Sequence, residues 1–167
     1  MEKRIEGRVW KFGDNVDTDV IYPGRYLPIL EAAEMALHAL EGVDPEFPKK
    51  LKPGDILVAG SNFGCGSSRE QAATCLRAAG VACVVAQSFS RLFFRNAVNQ
   101  GLPLVQCAGA ADAVKNGESI VVDFEKGVVV IRGKFMAFPP LPGFIVSILE
   151  SGGLIASVRK RLAGGRA

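Results

Sequence analysis

The chain has little of what most enzymes use. One histidine, His38, stands among 167 residues, which removes the ordinary zinc sites and His-activated nucleophiles unless that single residue serves. The four cysteines, at positions 65, 75, 83 and 107, form no Cys-x-x-Cys pair and match neither a disulfide framework nor an iron–sulfur spacing. Charge of one sign is lacking too. Lys+Arg 20 against Asp+Glu 17 leaves +3, with the signs mixed along the chain, so neither nucleic acid nor an anionic membrane is favoured. The apolar stretch Phe135 to Leu149 is interrupted by Pro139, Pro140 and Pro142 and falls short of the roughly 20 residues a membrane span needs. The first residues carry Glu2, Lys3, Arg4, Glu6, Arg8 and Lys11, which leaves no place for a signal-peptide core. A mature, soluble, cytoplasmic protein is expected.

What is present is an ordinary globular composition, 49% hydrophobic and 22% charged, sufficient for one sizeable core. A single domain across residues 1–167 is expected. Val9 to Phe12 reads as a strand, followed by the turn signal Gly13-Asp14-Asn15. Leu30, Ala33, Leu37 and Leu40 recur at helical spacing with Gly42 just beyond, which predicts an amphipathic helix. Val43 to Pro53 is a connection rich in proline and charge. Asp55 to Ala59, Val81 to Ala86 and Leu102 to Gln106 are compact apolar strands. Between them lie helices from Ser67 to the stop at Gly80, and from a cap at Ser88 to the stop at Gly101. This alternation implies parallel pairing with right-handed crossovers. Ser119 to Phe124 and Val128 to Ile131 flank Glu125-Lys126-Gly127 as a hairpin, helix resumes from Gly143, and the tail Gly164 to Ala167 is expected to fray. The fold class expected is α/β, a compact mixed sheet flanked by helices.

Two segments carry most of the chemical information. Gly60-Ser61-Asn62-Phe63-Gly64-Cys65-Gly66-Ser67-Ser68-Arg69-Glu70 lies where a strand ends and a helix begins. Glycines there admit close approach of a ligand, a helix N-terminus offers unpaired N–H groups, and Arg69 offers a fork matched to a carboxylate. The loop suits an anion. Ser68 followed by Gln71 equally fits a capping box serving only the helix. It is neither a dinucleotide fingerprint, which would need glycine at Arg69, nor a P-loop. The second segment, Lys11 to Leu27, holds Asp14, Asp17 and Asp19, but a calcium loop would need glycine where Asp19 stands. Its residues alone read as a turn-rich loop whose Asp and Asn side chains bond nearby backbone. His38 reads as a packing or surface residue, Cys75 and Cys83 as core, Arg91 and Arg95 as a solvated helix face, and Cys65 as a thiol at a helix N-terminus.

Taken together, Val9 to Asp14 with Asp17-Thr18-Asp19, Gly64 through Glu70, and Ser88-Phe89-Ser90-Arg91 with Asn96 and Gln100-Gly101 resemble the small subunits of the aconitase-type hydro-lyases, and most of all the 3-isopropylmalate dehydratase small-subunit family. The resemblance runs from Val9 to about Leu104, with a looser fit beyond. It implies a swivelling β/β/α domain, as in the C-terminal domain of aconitases. That domain closes over a four-iron four-sulfur cluster held by a separate large subunit, so this chain would bind no cofactor or metal itself and would be active only with that partner. The implied reaction isomerises a 2-hydroxy dicarboxylic acid by dehydration and rehydration. Ser67 matches the family's base, Ser68 and Arg69 match residues holding the base and a substrate carboxylate, and Cys65 and Gly66 line the same loop.

After Tyr26-Leu27, family members that accept a third carboxylate carry arginine, whereas Pro28-Ile29-Leu30 is apolar. This places Pro28 and Ile29 at the substrate and favours an alkyl side group, because an unpaired buried carboxylate costs several kcal/mol. The expected substrate is isopropylmalate, in leucine biosynthesis. Dimethylmalate, citramalate-type acids and homoaconitate are alternatives, since one methylene discriminates by only about 1–3 kcal/mol. A free-standing anion-binding module is the reading of a different class, and an RNA-binding role would rest only on Arg159 to Arg161. Apolar surface near the Gly64 loop and Tyr26 to Leu30 is expected to face the partner.

Overall fold

The structure, a computed structural model, describes residues 2–164. The elements follow in chain order: β1 (Arg4–Lys11), α1 (Thr18–Ile21), a 3-10 turn (Gly24–Tyr26), α2 (Ala32–Ala36), α3 (Phe47–Lys50), β2 (Ile56–Ala59), α4 (Glu70–Ala78), β3 (Cys83–Ala86), α5 (Arg91–Asn99) and β4 (Leu104–Gln106). Then come α6 (Ala110–Ala113), β5 (Ser119–Asp123), β6 (Val128–Ile131), β7 (Lys134–Ala137), α7 (Gly143–Glu150) and α8 (Leu154–Gly164). Of the tail expected to fray, Gly164 to Ala167, residues 165–167 lie outside the described residues, and Gly164 is the last residue of α8.

The seven strands form one mixed sheet in the order β4-β3-β2-β1-β5-β6-β7. β1 to β4 run parallel, with Val9 opposite Ile56, Ile56 opposite Cys83 and Val84 opposite Leu104. β5, β6 and β7 continue from β1 as an antiparallel meander. The short apolar runs fit this arrangement because β2 and β3 are buried on both faces. Leu57, Ala59, Val84 and Ala86 point into a core shared with α1, α2, α4 and α5, while Ile56, Val58, Cys83 and Val85 point into a second core that includes Ala110 and the meander. The mixed sheet with flanking helices, the parallel βαβ half and the hairpin agree with the sequence reading. Among the described residues no helix is long and apolar enough to cross a membrane.

The region around residues 30–40 departs from expectation. Only Ala32–Ala36 is α-helical, and Leu30 and Leu37, placed by periodicity on the buried stripe, are 86% and 67% exposed. The buried side chains are Met35, Ala39 and Leu40. The helix ends early because Leu40, at φ +60°, turns the chain so that its N–H donates to the Ile21 carbonyl. A tertiary bond thus overrides a local period. The sequence pattern shows no sign of α1, α3, α6 or the edge strand β7: the three helices are single turns, too short for a 3.6-residue period, and β7 is mostly exposed, so it lacks the apolar run that marks β2, β3 and β6.

Candidate active site

Loops leaving the carboxyl ends of β1, β2 and β3 converge on one place. That is where open parallel sheets gather their ligands. The loop after β2 is bound along both sides. On one side Asn15 N–H donates to the Ser61 carbonyl, Gly64 N–H to Val16, and Thr18 N–H to Cys65, at 2.7–2.9 Å. On the other, Phe63 N–H donates to Ser88 and Ser90 N–H to Phe63. Gly64 is required here: at φ +76°, a Cβ would also lie 2.2 Å from the Phe93 ring.

The serines of the sequence motifs divide their work. Ser90, and not Ser88, caps α5, accepting from Phe93 N–H at 3.2 Å while its hydroxyl donates to the Gly64 carbonyl at 2.7 Å. Ser88 Oγ instead accepts from Asn62 N–H at 2.8 Å. Both hold the glycine loop in place. At the start of α4 the capping-box reading fails. The cap residue is Arg69, no side chain caps the helix, and Ser67 and Ser68 stand before it. Ser68 falls one residue short of the cap because Arg69 is still extended (φ −104°, ψ +112°). Ser67, Ser68 and Gly66 are exposed and Cys65 is half-buried.

Arg69 is the best-placed cation of the loop. Its side chain is only 18% exposed and its Nη1 pairs with the Asp19 carboxylate, with a longer 3.4 Å contact to the Tyr22 carbonyl. Among the described residues, both of its hydrogen bonds leave from Nη1, so Nη2 and Nε remain to grip a further carboxylate. Asp19 also accepts from Gly24 N–H at 3.0 Å, and these two donors, Arg69 first, hold its carboxyl below the usual carboxylate range. Gly24 lies against the guanidinium: a Cβ there would be 3.3 Å from Nη2. Thr18, 2% exposed, donates its hydroxyl to the Ser67 carbonyl at 2.9 Å.

Thr18 and Asp19 were not singled out from sequence as site residues, although both lie in the Asp-Thr-Asp motif that contributed to the family resemblance. The local-turn reading of that loop is right for Asp17, whose side chain accepts from Val20 N–H. Asp14 instead reaches across to Ser61 N–H at 2.6 Å, and Asp19 does both, accepting from Gly24 N–H within the loop and pairing with Arg69 across it. From Gly24 the chain runs into the apolar segment. Pro28 is exposed, Ile29 is partly buried against the core, and Leu27 and Leu30 project outward. His38 is a packing residue, stacked on Tyr26 with ring centroids 3.6 Å apart.

Among the described residues the four cysteines form no iron–sulfur ligand set, and Cys65 is half-buried in the glycine loop. Cys75 and Cys83 are buried in different cores, Cys107 lies beyond β4, and burial raises the pKa of all three thiols. Among the described residues no three His, Cys, Asp or Glu side chains gather for a metal.

Comparison with known proteins decides the family. The chain is 52% identical over 162 residues to the 3-isopropylmalate dehydratase small subunit 1 of Methanopyrus kandleri, covering 96% of this chain and 95% of that protein. It belongs to the 3-isopropylmalate dehydratase small-subunit family. The isopropylmalate/citramalate isomerase small subunit of Methanocaldococcus jannaschii is 50% identical, with 98% of each chain covered. The model of the aconitase C-terminal domain matches residues 30–108. A crystal structure of the 3-isopropylmalate dehydratase from Methanocaldococcus jannaschii superposes with a TM-score of 0.91 at 42% identity, covering 98% of this chain and 99% of that one. Members of this small-subunit family are subunits of aconitase-type hydro-lyases, and so is this chain.

Proposed function

We propose that this chain is the cytoplasmic swivelling subunit of a heteromeric hydro-lyase that interconverts 2-isopropylmalate and 3-isopropylmalate in leucine biosynthesis. In this reading a large subunit holds the four-iron four-sulfur cluster, and the Gly64 loop closes against it. Ser67 takes the proton from the substrate carbon. Water is lost to give the alkene acid, then returns with its hydroxyl on the neighbouring carbon, and Ser67 gives the proton back. A serine hydroxyl is a weak base in water, so its alkoxide needs the helix N-terminus and nearby cations for stabilisation. Ser68 and the loop at Cys65 and Gly66 position the substrate, and the two remaining donors of Arg69 hold a carboxylate.

The observation that carries the substrate is the join at Gly24. The backbone that abuts the Arg69 guanidinium continues directly into Pro28, Ile29 and Leu30. A carboxylate on Arg69 therefore sets the remaining substituent beside apolar side chains, where an alkyl group is favoured over a third carboxylate by several kcal/mol. Methyl-substituted malates are the second reading. The isopropylmalate/citramalate name of one relative supports it, and a methylene difference gives only modest discrimination.

The test is anaerobic mixing of this chain with a cluster-loaded large subunit, following alkene-acid formation from isopropylmalate, dimethylmalate, citramalate and homocitrate. Turnover in the mixture only, fastest with isopropylmalate, is expected. Turnover by the small chain alone overturns the subunit role, and preference for homocitrate overturns the apolar-segment argument. Ser67→Ala lowers kcat about 10²–10⁴-fold with folding and association intact, and near wild-type turnover removes Ser67 as the base.

A further inference from the structure

Behind the segment that touches Arg69 lies a cluster of four side chains, Arg25, Tyr26, His38 and Glu41, to which the proposed chemistry gives no role. Glu41, whose side chain is 14% exposed, accepts from the Tyr26 hydroxyl at 2.6 Å and from Arg25 Nη2 at 2.8 Å through Oε1, and lies 2.7 Å from His38 Nδ1 through Oε2. Burial pushes the Glu41 carboxyl upward, yet the hydrogen bonds from Tyr26, His38 and Arg25 outweigh it and hold the group down to about 2. An ionised carboxylate can only accept, so the His38 Nδ1 in this contact carries a proton. Tyr26 is gripped on its ring as well, with His38 stacked at 3.6 Å and the Arg25 guanidinium 4.7 Å from its centroid.

The backbone is bent to deliver this carboxylate. Leu40, fully buried, adopts φ +60°, a conformation L-residues rarely take, and its N–H bonds the Ile21 carbonyl at 2.7 Å. Gly42 follows against Val20, leaving no space for a Cβ, which would lie 2.6 Å from the Val20 carbonyl. Glu41 is thereby fixed between two points anchored to α1. Tyr26 continues the chain of contacts forward: its carbonyl accepts from the Tyr22 hydroxyl at 2.9 Å, and two residues before it Gly24 meets both Asp19 and Arg69.

We propose that Glu41 is a positioning residue, a clamp that holds the Gly24 to Ile29 segment in register with Arg69 and thereby sets which substituent the substrate site accepts. This rests on the proposed function for the substrate, but the clamp itself does not. Arg69 grips what all the candidate acids share. Glu41 acts only through Tyr26 and Arg25, on the side where those acids differ. Loosening it therefore changes the ratio of kcat/KM between acids, where loss of Arg69 lowers both together.

The test uses the full chain with its large subunit, in wild type, Glu41→Gln, Glu41→Ala and Tyr26→Phe. Two quantities are read: the ratio of kcat/KM for isopropylmalate over citramalate, and hydrogen exchange of the Tyr26, Leu27 and Ile29 amides, which donate to Pro23, Gly24 and Tyr26. Glu41→Ala is expected to speed exchange at these amides about tenfold or more while the sheet amides are unchanged, and to shift the acid ratio about threefold or more. Glu41→Gln, which keeps acceptor and shape, retains most of the wild-type ratio, and Tyr26→Phe falls between. Unchanged exchange in Glu41→Ala overturns the clamp. Faster exchange with an unchanged ratio overturns its role in selection. A wild-type assembly that dehydrates neither acid overturns the proposed substrate instead, and the exchange measurement then decides the clamp alone.

Discussion

Two arginine–aspartate pairs sit at opposite ends of the same parallel strands, and they are built in mirror image. At the amino end of β2, Asp55 is the buried partner, with its side chain 6% exposed while that of Arg8 is 38% exposed. At the carboxyl end, Arg69 is the sheltered partner at 18%, and Asp19 is 64% exposed. The buried carboxylate is fully occupied, accepting from Arg8 Nε and Nη2, Trp10 Nε1 at 2.7 Å and Lys52 N–H at 2.9 Å. The sheltered guanidinium keeps donors in reserve. A buried ion with all its partners in place stabilises the native geometry and has nothing left to offer a ligand, whereas one with spare donors at a loop mouth is suited to binding. Under the proposed function, the same two residue types serve structure at one end and recognition at the other.

The largest effect that separates the pairs is on turnover. Arg69→Lys, which keeps the charge but loses the fork, should lower kcat/KM about a hundredfold or more while shifting the melting temperature by no more than about 2 °C. If instead the protein melts much earlier, the Arg69 pair is structural and the contrast collapses.

Asp55→Ala should show the reverse. It strands Trp10 Nε1 and Lys52 N–H, and costs about 2–4 kcal/mol in urea unfolding, with activity per folded molecule unchanged. Its pH dependence sharpens the point. Burial pushes the Asp55 carboxyl up, but Arg8, the Lys52 N–H and Trp10 together hold it below the ordinary range. Stability from a depressed carboxylate is fully present above the unfolded-state value of about 3.9 and is lost as pH falls through the folded value. The stability gap between wild type and Asp55→Asn should therefore be constant from neutral pH to about pH 5 and close below about pH 4. A gap that persists at lower pH would mean that packing, not charge, sustains the site.

The smallest effect belongs to Asp19→Asn. Its carboxylate is solvent-screened, so thermal stability should not move measurably, while KM rises about three- to tenfold as Arg69 loses its anchor. A rise in KM together with a large loss of stability would erase the distinction between the two ends.

Much of the architecture is legible in the chain. The apolar runs at Ile56 to Ala59 and Cys83 to Ala86 are short and uninterrupted because both faces of those strands are covered, and this gave away the parallel half. Gly80 and Gly101 mark the helix stops because each takes a positive φ. The hairpin at Glu125-Lys126-Gly127 follows from Gly127 at φ +64° between two apolar runs. Where periodicity misled, at Leu30 and Leu37, a distant carbonyl on α1 had captured the backbone of Leu40.

The site divides the same way. Composition and spacing mark the Gly64 to Arg69 loop as suited to an anion, the role taken up in the proposed function, because glycine freedom and a guanidinium are properties of the residues themselves. That Asp19 meets Arg69, Thr18 meets Ser67 and Glu41 meets Tyr26 is decided only when the strands pair. The first two partners lie 50 and 49 positions apart, and the third depends on the bend at Leu40. Local sequence determines what a backbone can adopt and which groups can ionise; which group stands beside which charge is settled by packing, since a hydrogen bond acts over about 3 Å and reads no sequence distance.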